Sequence, residues 1–169
     1  MKQLGEIIVS KLLTGQTKET YRQAARGIIR DGDNVLMIYC AFFNDYTFPG
    51  GGVENGEDPI KALQRECSEE AGVIIKNIRP FYKILEKREK DEEAYLLHES
   101  LFYLCDIEEY CEPHLEDYEI ELGYKAVWIS IDAAIKNNLL KLAKLTENDY
   151  TGVLERELRI LEELNGNNL

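Results

Sequence analysis

Between Phe48 and Val73 the sequence reads FPGGGVENGEDPIKALQRECSEEAGV, and this stretch constrains the fold more than any other. The run Gly50-Gly51-Gly52 allows backbone conformations that side chains forbid, so main-chain atoms there can approach a phosphate or a metal closely. Asp58 reads as a helix N-cap and Pro59 as the first helical residue. The helix is expected to run to about Ala71, with Gly72 ending it in the left-handed conformation.

Within that helix Glu66, Glu69 and Glu70 stand at i, i+3 and i+4 and lie on or beside one face. Ile60, Leu63 and Cys67 are expected to form the buried stripe opposite. Like charges on neighbouring turns destabilise a bare helix by about 0.2–0.5 kcal/mol per pair. A divalent cation removes that penalty, and hard oxygen ligands are what Mg2+ and Mn2+ prefer. A solvated acidic face explains the same carboxylates, and the helix alone does not choose between the two.

The full pattern is longer: Gly51, five residues, Glu57, seven residues, then Arg65-Glu66-Cys67-Ser68-Glu69-Glu70-Ala71-Gly72-Val73. This resembles the Nudix box of the Nudix hydrolases. Every fixed polar or glycine position is filled; Cys67 stands where the family usually has an aliphatic residue, a mild change because a buried thiol behaves as a small hydrophobe. The resemblance implies an α/β fold, a Nudix-like α-β-α sandwich with a central mixed β-sheet and a loop-helix-loop catalytic motif. It also implies a divalent-metal-dependent hydrolase of a phosphoanhydride in a nucleoside diphosphate linked to another moiety. A nucleoside triphosphate (an oxidised one included) and ADP-ribose are the candidate substrates, and Mg2+ or Mn2+ the cofactor. By the same resemblance the Gly50 carbonyl, Glu66 and Glu70 hold the metal, and Glu69 is a further ligand or orients water. Glu57 and Arg65 then read as a pair fixing the loop against the helix, since the planar guanidinium fork suits a carboxylate. A different-class reading keeps the scaffold without the chemistry, as a regulatory module that senses a nucleotide and does not hydrolyse it.

The second informative stretch is Glu119 to Ser130. Nudix sequences frequently place an acidic residue shortly before a strand that carries a Trp, followed by a helix like Ile131 to Asn137. A carboxylate there can complete the metal site or act as the base. Glu121 is the first candidate and Glu119 the second, both on one alternating face if the segment is extended; a surface acid in a loop is the alternative. Trp128 is expected in the core.

Elsewhere the pattern gives a strand from Tyr21 to Ile29, a hairpin turn at Asp31–Asn34, a buried strand from Val35 to Cys40 and a turn at Asn44–Tyr46. Ile74 to Leu85 reads as one or two strands broken at Pro80, and Glu86 to Glu93 as a solvated hairpin loop. Tyr95 to Asp106 is a strand on which His98 is expected to be a structural hydrogen-bonding residue; His114 is expected to be exposed. Glu147 to Leu164 is a helix with Tyr150, Val153, Leu154, Leu158, Leu161 and Leu164 as its apolar stripe.

Residues 1–169 are expected to form one domain. Acidic residues outnumber basic ones by twelve, which argues against binding nucleic acid polymers or a membrane surface and leaves a nucleotide-type small molecule as the partner. The four cysteines, Cys40, Cys67, Cys105 and Cys111, show neither a zinc spacing nor a disulfide framework. No apolar run reaches the length of a signal peptide or a bilayer span, so the cytoplasm is the expected location. Leu4, Ile7, Ile8 and Val9 have no obvious place in this core; they are expected either to pair with a second subunit, giving a homodimer, or to add an edge strand to their own sheet.

Overall fold

The computed structural model describes residues 1–8, 18–91, 94–146 and 151–166. The chain order is β1 (Lys2–Ile8), β2 (Lys18–Asp31), β3 (Asn34–Cys40), β4 (Asp45–Thr47), β5 (Gly50–Gly52), α1 (Pro59–Ala71), β6 (Val73–Asp91), β7 (Ala94–Tyr110), α2 (Asp117–Leu122), β8 (Tyr124–Ser130), α3 (Ile131–Leu142) and α4 (Gly152–Gly166). Strands β1, β6, β7, β2 and β5 lie side by side in that order; the β1/β6 and β7/β2 pairs are parallel and the β6/β7 and β2/β5 pairs antiparallel. The β2–β3 hairpin carries the chain into an antiparallel β4-β3-β8 group.

Alternation along the strands builds the layers. Ile28, Met37 and Phe102 face one way and join Ile131 of α3 with Ile160, Leu161 and Leu164 of α4. Ile29, Ile38 and Tyr103, each the next residue in its strand, face the other way and join Leu63, Cys67 and Ala71 of α1. Side chains of a strand point alternately to its two faces, so one set of strands feeds two cores and the sheet lies between helices. The expected α-β-α arrangement with a mixed sheet is what the chain forms.

Helix α1 has the expected ends: the Asp58 carboxylate accepts from the Ile60 and Lys61 amides at 2.9 and 3.3 Å, and Gly72 closes the helix at φ 63°. Its buried residues are Ala62, Leu63, Cys67, Glu70 and Ala71, whereas Ile60 is exposed. Ile60 lies in the first turn, before the helix reaches the sheet.

Several expectations need correction. Pro80 does not break the strand after the box: β6 continues through it, and shifts of register on either side of the Arg79–Pro80 step absorb a residue that cannot donate to the ladder. Glu86 belongs to this strand rather than to a solvated loop, and its side chain is fully buried. Trp128 is exposed, because β8 is an edge strand and the Trp lies on its open side. The expected turn at Asn44–Tyr46 is confined to Asn44 (φ 55°), since Asp45–Thr47 is β4.

Lys2–Ile8 takes the second of its two expected roles. It pairs in parallel with β6 and sinks Ile7 into the core, so no second subunit is needed to cover it. Val9 to Leu13, Glu92, Glu93 and Glu147–Tyr150, where the last helix is expected to start, lie outside the described residues. Cys40, Cys67 and Cys105 are buried free thiols, as expected, and His114 is exposed. Among the described residues no helix is long and apolar enough to cross a membrane.

Candidate active site

The glycine strand β5 pairs with β2 through Ala24↔Gly52, Ala25↔Gly51 and Arg26↔Gly50. Gly50 sits at φ 132°, and a side chain there would collide with the Ala25 carbonyl. A side chain at Gly51 would collide with the Glu66 carboxylate. The backbone of this loop therefore lies directly against an acid of α1, a cradle that a Cβ would fill.

Glu70, on the next turn, is 9% exposed and accepts from the Gly50 amide at 2.8 Å. Burial pushes its carboxyl up to about 8, and repulsion from Glu66 and Glu119 adds to this against the opposing effects of the Gly50 amide and Arg26. Glu66 is raised too, mainly by burial, with the Arg65 guanidinium opposing. The Gly50 carbonyl accepts from Arg26 at 3.0 Å, which leaves its second lone pair for another partner.

Arg65 and Glu57 meet as the spacing suggested. Arg65 Nε and Nη2 each lie 3.3 Å from a different Glu57 oxygen, the two-point geometry of a planar fork on a carboxylate. Nη2 also donates to the Gly52 carbonyl at 3.3 Å, which ties loop to helix. Nη1 reaches Glu66 at 2.8 Å and Glu69 at 3.1 Å. The guanidinium thus occupies the place where those two acids would repel, and its hydrogen bonds hold Glu57 below the usual carboxylate range.

The three glycines line one cleft of about 520 Å³ together with Arg26, Arg65, Glu66, Glu69 and Glu70. Its further wall comes from α2, where the second acidic segment departs from expectation. Glu119–Leu122 is helical, not extended, so residues two apart point in different directions. Glu119 is 3% exposed and lines the cleft; Glu121 is exposed and does not. Glu119 is held by the Glu116 amide at 2.8 Å and the Tyr118 hydroxyl at 3.0 Å.

Spacing in the sequence does not point to the rest of the cleft lining, to which Arg22, Arg26, His98, Tyr124, Val153 and Arg156 contribute. Beneath it Arg156 bridges Glu86 at 2.9 Å and Glu157 at 2.6 Å, all three fully or almost fully buried. Glu157 then accepts from the Phe48 amide at 2.9 Å, while Arg26 donates to the Phe48 carbonyl at 2.9 Å. A buried ionic network on α4 thereby holds the turn leading into the glycine strand. One signal pointed to it: Glu157 stands three residues after Leu154 and four before Leu161, a charge inside the apolar stripe.

Glu66, Glu70 and Glu119 are oxygen ligands, the first half-buried and the other two buried, that repel one another beside a carbonyl with a spare lone pair; this set fits a hard divalent cation. Among the described residues no three His, Cys, Asp or Glu side chains are already gathered about one point, and Arg65 shares Glu66 and Glu69.

Comparison with known proteins bears on the family and the fold. A family model described as NUDIX domain matches residues 20–150. Over 138 residues the chain is 33% identical to diphosphoinositol polyphosphate phosphohydrolase 2 of Rattus norvegicus, a match covering 80% of this chain and 68% of that protein. It is 33% identical over 107 residues to diphosphoinositol polyphosphate phosphohydrolase 3-beta of Bos taurus, covering 62% of this chain and 59% of the relative. The match thus spans between about half and two thirds of the length of these curated relatives. Among solved structures, a NUDIX hydrolase from Nitrosomonas europaea superposes with a TM-score of 0.56 at 17% identity, over 87% of this chain and 90% of that one. The MutT NUDIX hydrolase from Burkholderia pseudomallei gives 0.52 at 17% identity, over 67% and 85%. At such identities these likenesses bear on the fold alone.

Proposed function

Because this chain belongs to the NUDIX domain family, we propose that it is a divalent-metal-dependent pyrophosphohydrolase, and that the cleft between α1, β5 and α2 is its active site. The observation that carries the reading is the convergence of Glu66, Glu70 and Glu119 on one cleft, the first two packed against a side-chain-free backbone. Glu66, Glu70 and the Gly50 carbonyl would hold the cation, with Mg2+ or Mn2+ the ions that suit such oxygens. When bound, a divalent cation lowers the pKa of water and offsets charge on the attacked phosphate.

The chain's own residues supply the rest. Glu69, the more exposed box acid at 43%, orients water or adds a ligand. Arg65 and Glu57 keep the loop and helix in register. The curated relatives are named for diphosphoinositol polyphosphates, whereas the box reading favours a nucleoside diphosphate derivative; both contain the phosphoanhydride that this chemistry requires. The free thiols accord with a reducing compartment such as the cytoplasm.

Purified protein with Mg2+ or Mn2+, screened against nucleoside triphosphates, nucleotide sugars, ADP-ribose and diphosphoinositol polyphosphates, tests this reading through product release. Tight binding without product would favour the non-hydrolysing sensor instead.

The placement of the second acidic segment gives a sharper expectation. Glu119→Gln is expected to lower kcat/KM by about tenfold or more and to raise the Mg2+ concentration needed for half-maximal rate. Glu121→Gln is expected to change neither. The reverse order would mean that α2 rearranges in the working enzyme.

A further inference from the structure

The cleft walls carry six carboxylates and four guanidinium groups. Three of the guanidiniums are committed. Arg65 holds Glu57, Glu66 and Glu69; Arg156 holds Glu86 and Glu157; Arg26 donates to the Phe48 and Gly50 carbonyls. Among the described residues of the cleft, Arg22 is the cation with no carboxylate or carbonyl partner. It is exposed, with its charge open to the cleft mouth.

Its position matters as much as its freedom. A Cβ on Gly52 would lie 3.0 Å from Arg22 Nη2, so the guanidinium rests against the glycine strand. One residue earlier, Gly51 packs against the Glu66 carboxylate on the other side of the strand. Successive strand positions face opposite ways, and β5 has no side chains to separate its two sides. The glycine strand is therefore a low saddle with the acids of α1 on one flank and Arg22 on the other. A substrate laid across it would place its anhydride by the acids and its remote part by Arg22.

Resting on the hydrolase reading above, we infer that the preferred substrate carries one anionic group remote from the scissile anhydride, and that Arg22 binds it. A polyphosphorylated ring brings several phosphates into the cleft and needs several free cations, which the described walls do not offer. The substrate class named for the curated relatives thus fits the described walls poorly, and a phosphorylated nucleotide derivative fits them well.

ADP-ribose and its 2′-phosphate share the anhydride and differ by one remote anion, so they form the test pair, with a diphosphoinositol pentakisphosphate as the highly charged comparison. The expected result is a KM about tenfold lower for the 2′-phosphate, a preference that Arg22→Gln removes and Arg22→Lys partly restores. The diphosphoinositol substrate is expected to trail both. The inference is overturned if hydrolysis proceeds but Arg22→Gln leaves the preference intact, if the wild type shows no preference, or if the diphosphoinositol substrate is the best of the three. Absence of product from every phosphoanhydride would instead defeat the hydrolase reading. In that event calorimetric Kd values for the same pair on wild type and Arg22→Gln decide the inference, equal values for the two ligands on the wild type overturning it.

Discussion

Arg156→Met is expected to destabilise the protein by about 3–5 kcal/mol, because it takes the guanidinium away from two buried carboxylates. For a chain of this length that corresponds to a fall of roughly 10 °C or more in Tm. Methionine matches the length of the arginine stem, so the effect comes from lost charge more than from lost volume. Glu86 and Glu157 are fully buried, so their charges are costly to leave uncompensated. The loss also reaches the site, since Glu157 is the acceptor for the Phe48 amide ahead of the glycine strand. Thermal denaturation by circular dichroism measures the effect. A compensated variant, Arg156→Met with Glu86→Leu and Glu157→Gln, removes the charges together and keeps an acceptor for Phe48; most of the lost stability is expected to return. If the single variant melts within about 2 °C of the wild type, the network contributes far less than buried ion pairs usually do.

Glu70→Gln is expected to lower turnover by orders of magnitude while leaving the chelated protein at least as stable as the wild type. Glutamine keeps the size of the side chain and an oxygen to accept the Gly50 amide, and it removes the buried charge. The sign follows from the shift. The folded carboxyl is raised from 4.5 to about 8, so the fold favours the protonated form. Its contribution is therefore fully present below pH 4.5 and is lost as pH rises through about 8. In chelator the stability advantage of Glu70→Gln over the wild type should grow across that window, and a divalent cation should restore the wild type alone. Melting curves against pH, with and without Mg2+, measure both effects. A residue so placed trades stability for function, the usual bargain of an acid kept for chemistry.

Local chemistry explains which parts were legible in the sequence. Asp58, Pro59 and Gly72 set the ends of α1 through hydrogen bonds within a few residues, so their roles could be read from spacing. Glu57 and Arg65 likewise belong to one loop-helix unit and meet where expected. An extended stretch before β8 puts Glu119 and Glu121 on one face and does not separate them, whereas the helix found there does. That helix depends on a capping box at Glu116, whose reciprocal bonds turn Glu119 inward. Charged neighbours in sequence make Glu86 look solvated, whereas the guanidinium it meets lies seventy residues away on α4. Arg22 gave no signal at all: its importance comes from β2 pairing with β5, a contact that only the folded sheet creates.

Product release from a phosphoanhydride substrate, followed by anion-exchange chromatography with the wild type and Glu70→Gln in Mg2+ and in chelator, tests the central claim most directly. Hydrolysis by the wild type in Mg2+, abolished by chelator and reduced by orders of magnitude in Glu70→Gln, is the result expected of an acidic cleft that works through a bound cation. Equal hydrolysis with and without chelator, or full activity in the variant, would contradict it.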